Sequence, residues 1–207
     1  MNNFQSLPTI TKNILIINIL LFAATWIYLK QGIHLENILG LHYFNSKTFK
    51  PYQVITYLFM HADILHIFFN MLGLFMFGSV LENVWGPKRF LTYYILTGIG
   101  AAIAQTLFVY SQIPPGAEVN GCIGVGASGS LYGVLIAFAW MFPNTELMMM
   151  FIPIPIKAKF LIPGFAVMEL FSGLRNNPTD NIAHFAHLGG LLFGIIILLI
   201  WRVKRIN

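Results

Sequence analysis

Long stretches without a charged residue are the feature that most constrains this chain. They occupy residues 13–29, 64–81, 90–117, 119–145 and 181–201. A helix needs about 20 predominantly apolar residues to cross the hydrocarbon core of a bilayer, so each stretch is long enough or nearly so. The composition agrees, because 57% of the residues are hydrophobic and 9% are charged, against roughly 25% charged in soluble domains. The chain is therefore predicted to be an integral membrane protein.

A sixth span is less obvious, because Lys159 and Glu169 bracket only the short apolar segment FLIPGFAVM. One glutamate is acceptable inside a bundle or at an interface. The first apolar stretch could instead be a signal peptide, but no clear small-x-small cleavage site ends it. We therefore predict an all-α membrane protein with six transmembrane helices in one domain, residues 1–207. The predicted spans are about 12–30, 63–83, 89–111, 126–143, 159–174 and 181–202.

Several other classes of protein fit the composition poorly. Cys122 is the only cysteine, so no internal disulfide can form. The formal charge of +5 fits membrane topology better than nucleic-acid binding, because no basic soluble domain is present. No internal repeat of the kind found in many transporters is visible. The lipid bilayer is the expected partner, nucleic acid is not expected, and the oligomeric state is left open.

The distribution of Lys and Arg predicts the orientation of the bundle. Six spans put both termini on one side, and positive residues are enriched on the cytoplasmic side. With both termini cytoplasmic, the internal segments carry Lys12, Lys88, Arg89, Lys157, Lys159, Arg202, Lys204 and Arg205, and the external ones carry Lys30, Lys47, Lys50 and Arg175. Spans two, four and six then run from outside to inside.

Polar residues cluster where these three inward-running spans begin. The segments are HADILHIFFN at 61–70, GVGASGS at 124–130 and NIAHFAHLGG at 181–190. At 1.5 Å per residue, Asn70 and His187 lie roughly 9 Å below the start of their helices, and Ser128 can reach that level if its loop dips into the bundle. Polar groups at one depth in a membrane indicate a functional site. The alternative is hydrogen bonding between helices, which Ser, Asn and His provide in many inert bundles.

The residue types in this layer suit acyl transfer. A serine hydroxyl becomes a nucleophile when a neighbouring histidine takes its proton, and His184 and His187 are both candidates for that base. The uncharged stretches of spans two, four and six, at 64–81, 119–145 and 181–201, offer no acid to orient the imidazole, so a Ser–His dyad is predicted rather than a triad. His66 and Asn70, spaced i, i+4, share one face of span two and offer N–H donors for an oxyanion.

The glycines near these residues have two interpretations. Gly126 and Gly129 around Ser128 allow close approach of backbone and substrate, although such a string alone is a weak signal. Gly190 and Gly194 form a G-x-x-x-G helix-contact motif. We expect this motif to bring span six against span four, beside Ser128.

With these residues in view, the sequence strongly resembles the rhomboid family of intramembrane serine proteases. The matching stretches are HADILHIFFNM, LENVWGPKRF, GASGSLYG and AHFAHLGGLLFG, in the family's order and covering residues from about 10 to 203. The resemblance implies that the protein cleaves other membrane proteins near the external membrane face, without metal or cofactor. It also implies that span five, which contains Pro163, Gly164 and Gly173, is mobile and that substrates approach sideways.

The resemblance also implies roles for individual residues. Ser128, between Gly126 and Gly129, takes the position of the nucleophile, and His187 takes that of the general base, whereas His184 falls on a non-catalytic position. His66 and Asn70 match the oxyanion pair. Supporting roles fall to His61, described as structural, and to Tyr132, whose ring would stack on the catalytic imidazole and orient it in place of a carboxylate. Glu82 matches an acid that we interpret as structural, although a solvated helix end is the alternative.

The sequence leaves open how one loop is anchored and which of several functions the protein has. The loop at about 31–60 lacks the Trp-Arg pair that many family members carry, which puts its anchoring in doubt. Its Tyr, Phe and Leu nevertheless suit the membrane interface.

A catalytically inactive relative that binds membrane proteins for quality control or trafficking is the main alternative function, and a small transporter or channel is a third. We expect a prokaryotic inner membrane, because no soluble domain or transit peptide is apparent.

Overall fold

The computed structural model describes residues 7–114, 117, 119, 121–149, 152–175 and 183–206. Helices dominate it: α1 (Thr9–Leu29), α2 (Leu35–Leu39), α3 (Gln53–Thr56), α4 (Ile64–Gly73), α5 (Ser79–Trp85), α6 (Pro87–Gln112), α7 (Ser128–Met141), α8 (Ala158–Arg175) and α9 (His184–Ile200). A 3-10 turn at Tyr57–Phe59 follows α3, and a π-helical turn at Leu74–Gly78 joins α4 to α5. The helical class predicted from the sequence is confirmed.

Within the described part of the chain, three helical segments are long and apolar enough to cross a membrane, namely Thr9–Leu29, Ile64–Trp85 and Pro87–Gln112. The apolar helices α7 and α9 are shorter, and α8 contains Lys159, Glu169 and Arg175. These elements lie along the predicted spans, except that residues 181–182 of the last span lie outside the described part of the chain. The total of six spans and the cytoplasmic termini stay predictions.

The described residues also include four short strands, which the all-α prediction missed. β1 (Leu41–His42) pairs antiparallel with β2 (Cys122–Gly124), and β3 (Glu146–Met149) pairs antiparallel with β4 (Ile152–Lys157). The Ile-Pro repeat in β4 favours an extended backbone, because proline fixes φ and cannot continue a helix. The first sheet ties the loop before α4 to the chain that leads into α7.

Glu82 on α5 caps the first helix from a distance. Its buried carboxylate accepts hydrogen bonds from the backbone N–H groups of Ile10 and Thr11, at 2.8 and 2.7 Å, and from the Thr11 hydroxyl at 2.8 Å. The first N–H groups of a helix have no partner within the helix, and a negative charge there is favourable. The structural interpretation of Glu82 is confirmed, and the solvated helix end is wrong.

Small residues let α7, the most completely buried helix, pack closely against α9. A Cβ atom added at Gly190 would lie 1.8 Å from the carbonyl oxygen of Gly129, and one added at Gly194 would lie 3.2 Å from the Cα of Gly133. A second glycine pair on α7, also spaced i, i+4, therefore faces the G-x-x-x-G motif of α9. Such pairs allow two backbones to approach in a membrane bundle.

Candidate active site

The first turns of α7 and α9 bring Ser128 and His187 together. The Ser128 hydroxyl lies 2.7 Å from Nε2 of His187, a normal hydrogen-bond distance. Ser128 is the first residue of α7, and His187 lies in the first turn of α9, with its side chain 12% exposed. A neutral imidazole in this position can accept the hydroxyl proton.

The turn before Ser128 requires a glycine. Gly126 has φ = +121°, a conformation that residues with a side chain rarely adopt, and its N–H donates to the carbonyl of Tyr57 at 2.9 Å. A Cβ atom there would lie 2.6 Å from Nε2 of His66 and 3.6 Å from Oγ of Ser128. Gly126 therefore allows the imidazole of His66 to lie next to the serine. Gly129 contacts α6, where an added Cβ would meet that of Ala101 at 2.5 Å.

His66 and Asn70 lie on one face of α4, which begins with a capping interaction. The Asp63 carboxylate accepts the N–H of His66 at 2.8 Å. The Ala62 N–H points to Nδ1 of His66 at 3.4 Å, an arrangement in which Nε2 of the neutral ring carries the proton. Asn70 is buried, and its Nδ2 donates to the carbonyl of His66 at 2.8 Å. Both side chains line the same cavity as Ser128.

His61 packs behind this pair. Its ring is 4% exposed and meets the ring of His66 edge-on, with centroids 5.0 Å apart. Burial, followed by the proximity of His66, lowers the pKa of His61 to about 3. The side chain is therefore neutral near pH 7 and suits the structural role predicted for it.

Tyr132 lies one turn after Ser128 on α7. Its ring stacks on the His187 imidazole with centroids 4.5 Å apart and planes 10° from parallel. The sequence-based prediction of a stacked aromatic ring thus agrees with the structure. The expectation that no carboxylate is available to orient His187 disagrees with the structure.

Glu169 of α8 is the site residue that the sequence analysis missed. Its Oε1 lies 3.0 Å from Nδ1 of His187 and accepts a hydrogen bond from the Tyr132 hydroxyl. Its Oε2 lies 2.5 Å from Nδ1 of His184. The dyad was predicted from the lack of acids in the uncharged stretches of spans two, four and six, whereas Glu169 comes from span five. An ionisable residue inside a membrane segment is itself a signal of function, and Glu169 carried that signal.

Glu169, His184 and His187 also offer ligand atoms within 4.8 Å of one another. Carboxylate and imidazole are ligands that zinc accepts in proteins. In the arrangement described, however, the carboxylate contacts both imidazoles and the Tyr132 hydroxyl, and His187 is hydrogen-bonded to Ser128. We therefore interpret the cluster as a hydrogen-bonded network around the histidine.

A cavity of about 1000 Å³ surrounds the Ser128 hydroxyl. Its described lining comes from α1, from Glu36 of α2, from the loop before α4, from α4 itself, from β2 and from the starts of α7 and α9. Apolar side chains of α1 and α4 form its outer part, including Trp26, Leu29, Leu65 and Phe69, each about half exposed or more. Among the residues that the structure describes, none of the lining residues belongs to α8.

Comparison with known proteins gives a consistent result. RHOMBOID-like protein 12, mitochondrial, of Arabidopsis thaliana is 29% identical over 157 residues, covering 70% of this chain and 45% of the relative. Rhomboid protease GluP of Bacillus subtilis is 31% identical over 147 residues, with 69% and 24% covered. Rhomboid protease AarA of Providencia stuartii is 29% identical over 153 residues, with 67% and 51% covered. The chain thus spans about half or less of the length of these relatives.

The similar proteins come from several compartments and bear two kinds of name. Some are named as mitochondrial or chloroplastic and others are bacterial, so the expectation of a prokaryotic inner membrane is not supported. Some are named proteases and others rhomboid-like proteins. Residues 48–204 match the Rhomboid domain, which is well over half of the sequence. The chain therefore belongs to the rhomboid family.

Proposed function

We propose that this protein is an intramembrane serine endopeptidase that cleaves transmembrane-helix substrates near the external membrane face. The observation that carries the proposal is the 2.7 Å contact between the Ser128 hydroxyl and Nε2 of His187. Membership of the rhomboid family supports it, since named proteases are among the similar proteins. A multi-pass arrangement with six spans and both termini in the cytoplasm belongs to the same proposal.

The first chemical step is attack on the scissile carbonyl. Nε2 of His187 takes the proton of Ser128 as Oγ bonds to the carbonyl carbon, whose oxygen becomes an anion. The N–H of Ser128 at the start of α7, Nε2–H of His66 and the amide of Asn70 are the donors proposed for that anion. His187 then gives the proton to the leaving amine. Water hydrolyses the acyl-enzyme by the same route in reverse.

Substrate would reach Ser128 from within the membrane plane. The cavity is open beside α1 and α4, and its exposed apolar rim of Trp26, Leu29, Leu65 and Phe69 suits a hydrophobic segment. A helical substrate must unwind before its carbonyl is accessible, so small residues near the cleaved bond are favoured. The mobility expected of span five, here α8, stays a prediction.

The inactive alternative is weaker, because the serine and the histidine are both present and in contact. The transporter hypothesis is set aside, because the chain belongs to the rhomboid family. Catalytic activity is tested with purified protein in detergent, using a transmembrane substrate and a fluorophosphonate probe that labels activated serines.

Ser128→Ala and His187→Ala should each abolish cleavage, and Ser128→Ala should abolish labelling as well. The matched control is Ser111→Ala, since Ser111 is exposed and is not among the described residues that line the cavity. Cleavage at the wild-type rate in either site variant would refute the dyad.

A further inference from the structure

The inference concerns Glu169, and it rests on the proposed protease function. Its carboxylate is presented by α8, and it contacts residues of two other helices. Oε1 lies 3.0 Å from Nδ1 of His187 on α9, close enough for an ion pair but not aligned as a hydrogen bond. Oε1 also accepts the hydroxyl of Tyr132 on α7, and Oε2 lies 2.5 Å from Nδ1 of His184. The side chain is 13% exposed, so water screens these contacts little.

The two nitrogens of the catalytic imidazole have different partners. Nε2 of His187 faces the Ser128 hydroxyl, which leaves Nδ1 as the nitrogen that faces Glu169. For Nε2 to accept the serine proton, the proton of the neutral ring must reside on Nδ1. A carboxylate beside Nδ1 favours that tautomer, and it also stabilises the imidazolium that forms when Nε2 becomes protonated.

The same carboxylate holds the ring that packs on the imidazole. The Tyr132 hydroxyl donates to Oε1, and its ring lies 10° from parallel to that of His187. His184, three residues before His187 on α9, engages the other oxygen. One carboxylate therefore contacts both the tyrosine that stacks on the His187 ring and the edge of that ring.

We propose that Glu169 is a positioning residue that completes a Ser128–His187–Glu169 triad, with its acid supplied by α8. The proton taken from Ser128 goes to Nε2 of His187, the Nδ1 proton stays on the imidazole, and Glu169 remains ionised throughout. The productive geometry of His187 therefore depends on α8 staying packed against α7 and α9 during the chemical steps.

The test compares Glu169→Gln, Glu169→Asp and Glu169→Ala with the wild-type full-length chain, measuring kcat and KM for a transmembrane substrate and the rate of fluorophosphonate labelling. Gln keeps the size of the side chain and removes its charge. A carboxylate 3.0 Å from Nδ1 stabilises the imidazolium more than a neutral amide does, so kcat and the labelling rate should both fall about tenfold in Glu169→Gln, with KM unchanged. Both kcat and the labelling rate should fall further in Glu169→Ala. Glu169→Asp should recover part of the loss because it keeps the charge.

Glu146→Gln is the matched control, because it makes the same chemical change at an exposed position on β3. Wild-type kcat in Glu169→Gln would overturn the proposal. A rise in kcat/KM in all three variants would also overturn it, because it would show that Glu169 restrains α8. If Glu169→Ala does not fold, comparing kcat and the labelling rate of Glu169→Gln with those of Glu169→Asp still tests the proposal. Cleavage that survives Ser128→Ala would instead overturn the proposed function, so the two failures are distinguishable.

Discussion

Adding one methyl group to α9 should separate the serine from its base. In Gly190→Ala the new Cβ would start 1.8 Å from the carbonyl oxygen of Gly129, whereas ordinary van der Waals contact begins at 3.4 Å. The obstacle is backbone, so no side-chain rotation relieves it. The two helices must move apart by about 1.6 Å at this level.

The displacement acts directly on the catalytic contact. His187 lies three residues before Gly190 on α9, and Ser128 lies next to Gly129 on α7. A separation of about 1.6 Å added to the 2.7 Å contact would exceed hydrogen-bond range. Because a misplacement of about 1 Å can reduce a rate about 100-fold, we expect cleavage to fall by at least that factor. Overpacking should also cost about 1–3 kcal/mol of stability.

The assay is the initial rate of substrate cleavage in detergent, with thermal unfolding measured on the same samples. Gly164→Ala on α8 is the matched control, because a Cβ there would find no atom within 4 Å, and it should behave as wild type. Gly190→Ala protein that cleaves and labels at the wild-type rate would show that α7 and α9 are not in close contact as described, and would refute the reasoning.

Two further substitutions test the anchoring of α1 and the nucleophile turn. Glu82→Ala should lower the free energy of unfolding by roughly 3 kcal/mol, because it leaves three donors on Ile10 and Thr11 without a partner, and Thr11→Val should cost about 1 kcal/mol. Equal stability of Glu82→Ala and wild type in a denaturant titration would contradict this. Gly126→Ala should reduce cleavage by about 100-fold while the protein stays folded, because it forces a strained φ and displaces His66. Undiminished cleavage would show that the turn tolerates a side chain.

The helical class was accessible from the sequence because the length of an apolar segment is a local property. A common depth for Ser128, His187, His66 and Asn70 was predicted by counting residues along helices whose direction was inferred from Lys and Arg. The contacts around the serine could then be expected from the family resemblance. Of these, the serine–histidine contact and the stacked Tyr132 are present in the structure.

Three features of the site and fold were not accessible in the same way. The rotation of α8 about its axis decides whether Glu169 faces lipid or His187, and a span with mixed charges gives no clear apolar face from which to derive it. The partner of Glu82 lies more than 70 residues away in the sequence, so its role depends on how α1 packs against α5. The β3–β4 pairing was missed because proline cannot donate to a strand ladder, so the Ile-Pro repeat argues against a strand.

The cap that Glu82 places on α1 sets an order of assembly. The chain is made from its N-terminus, so α1 is complete long before residue 82 has been synthesised. Until then the N–H groups of Ile10 and Thr11 must be satisfied by water or headgroups, which keeps that end of α1 at the membrane surface. Once α5 has been added, the carboxylate of Glu82 replaces those partners and links the first helix to the rest of the bundle. A nascent chain that stops before Glu82 has no means of making this connection.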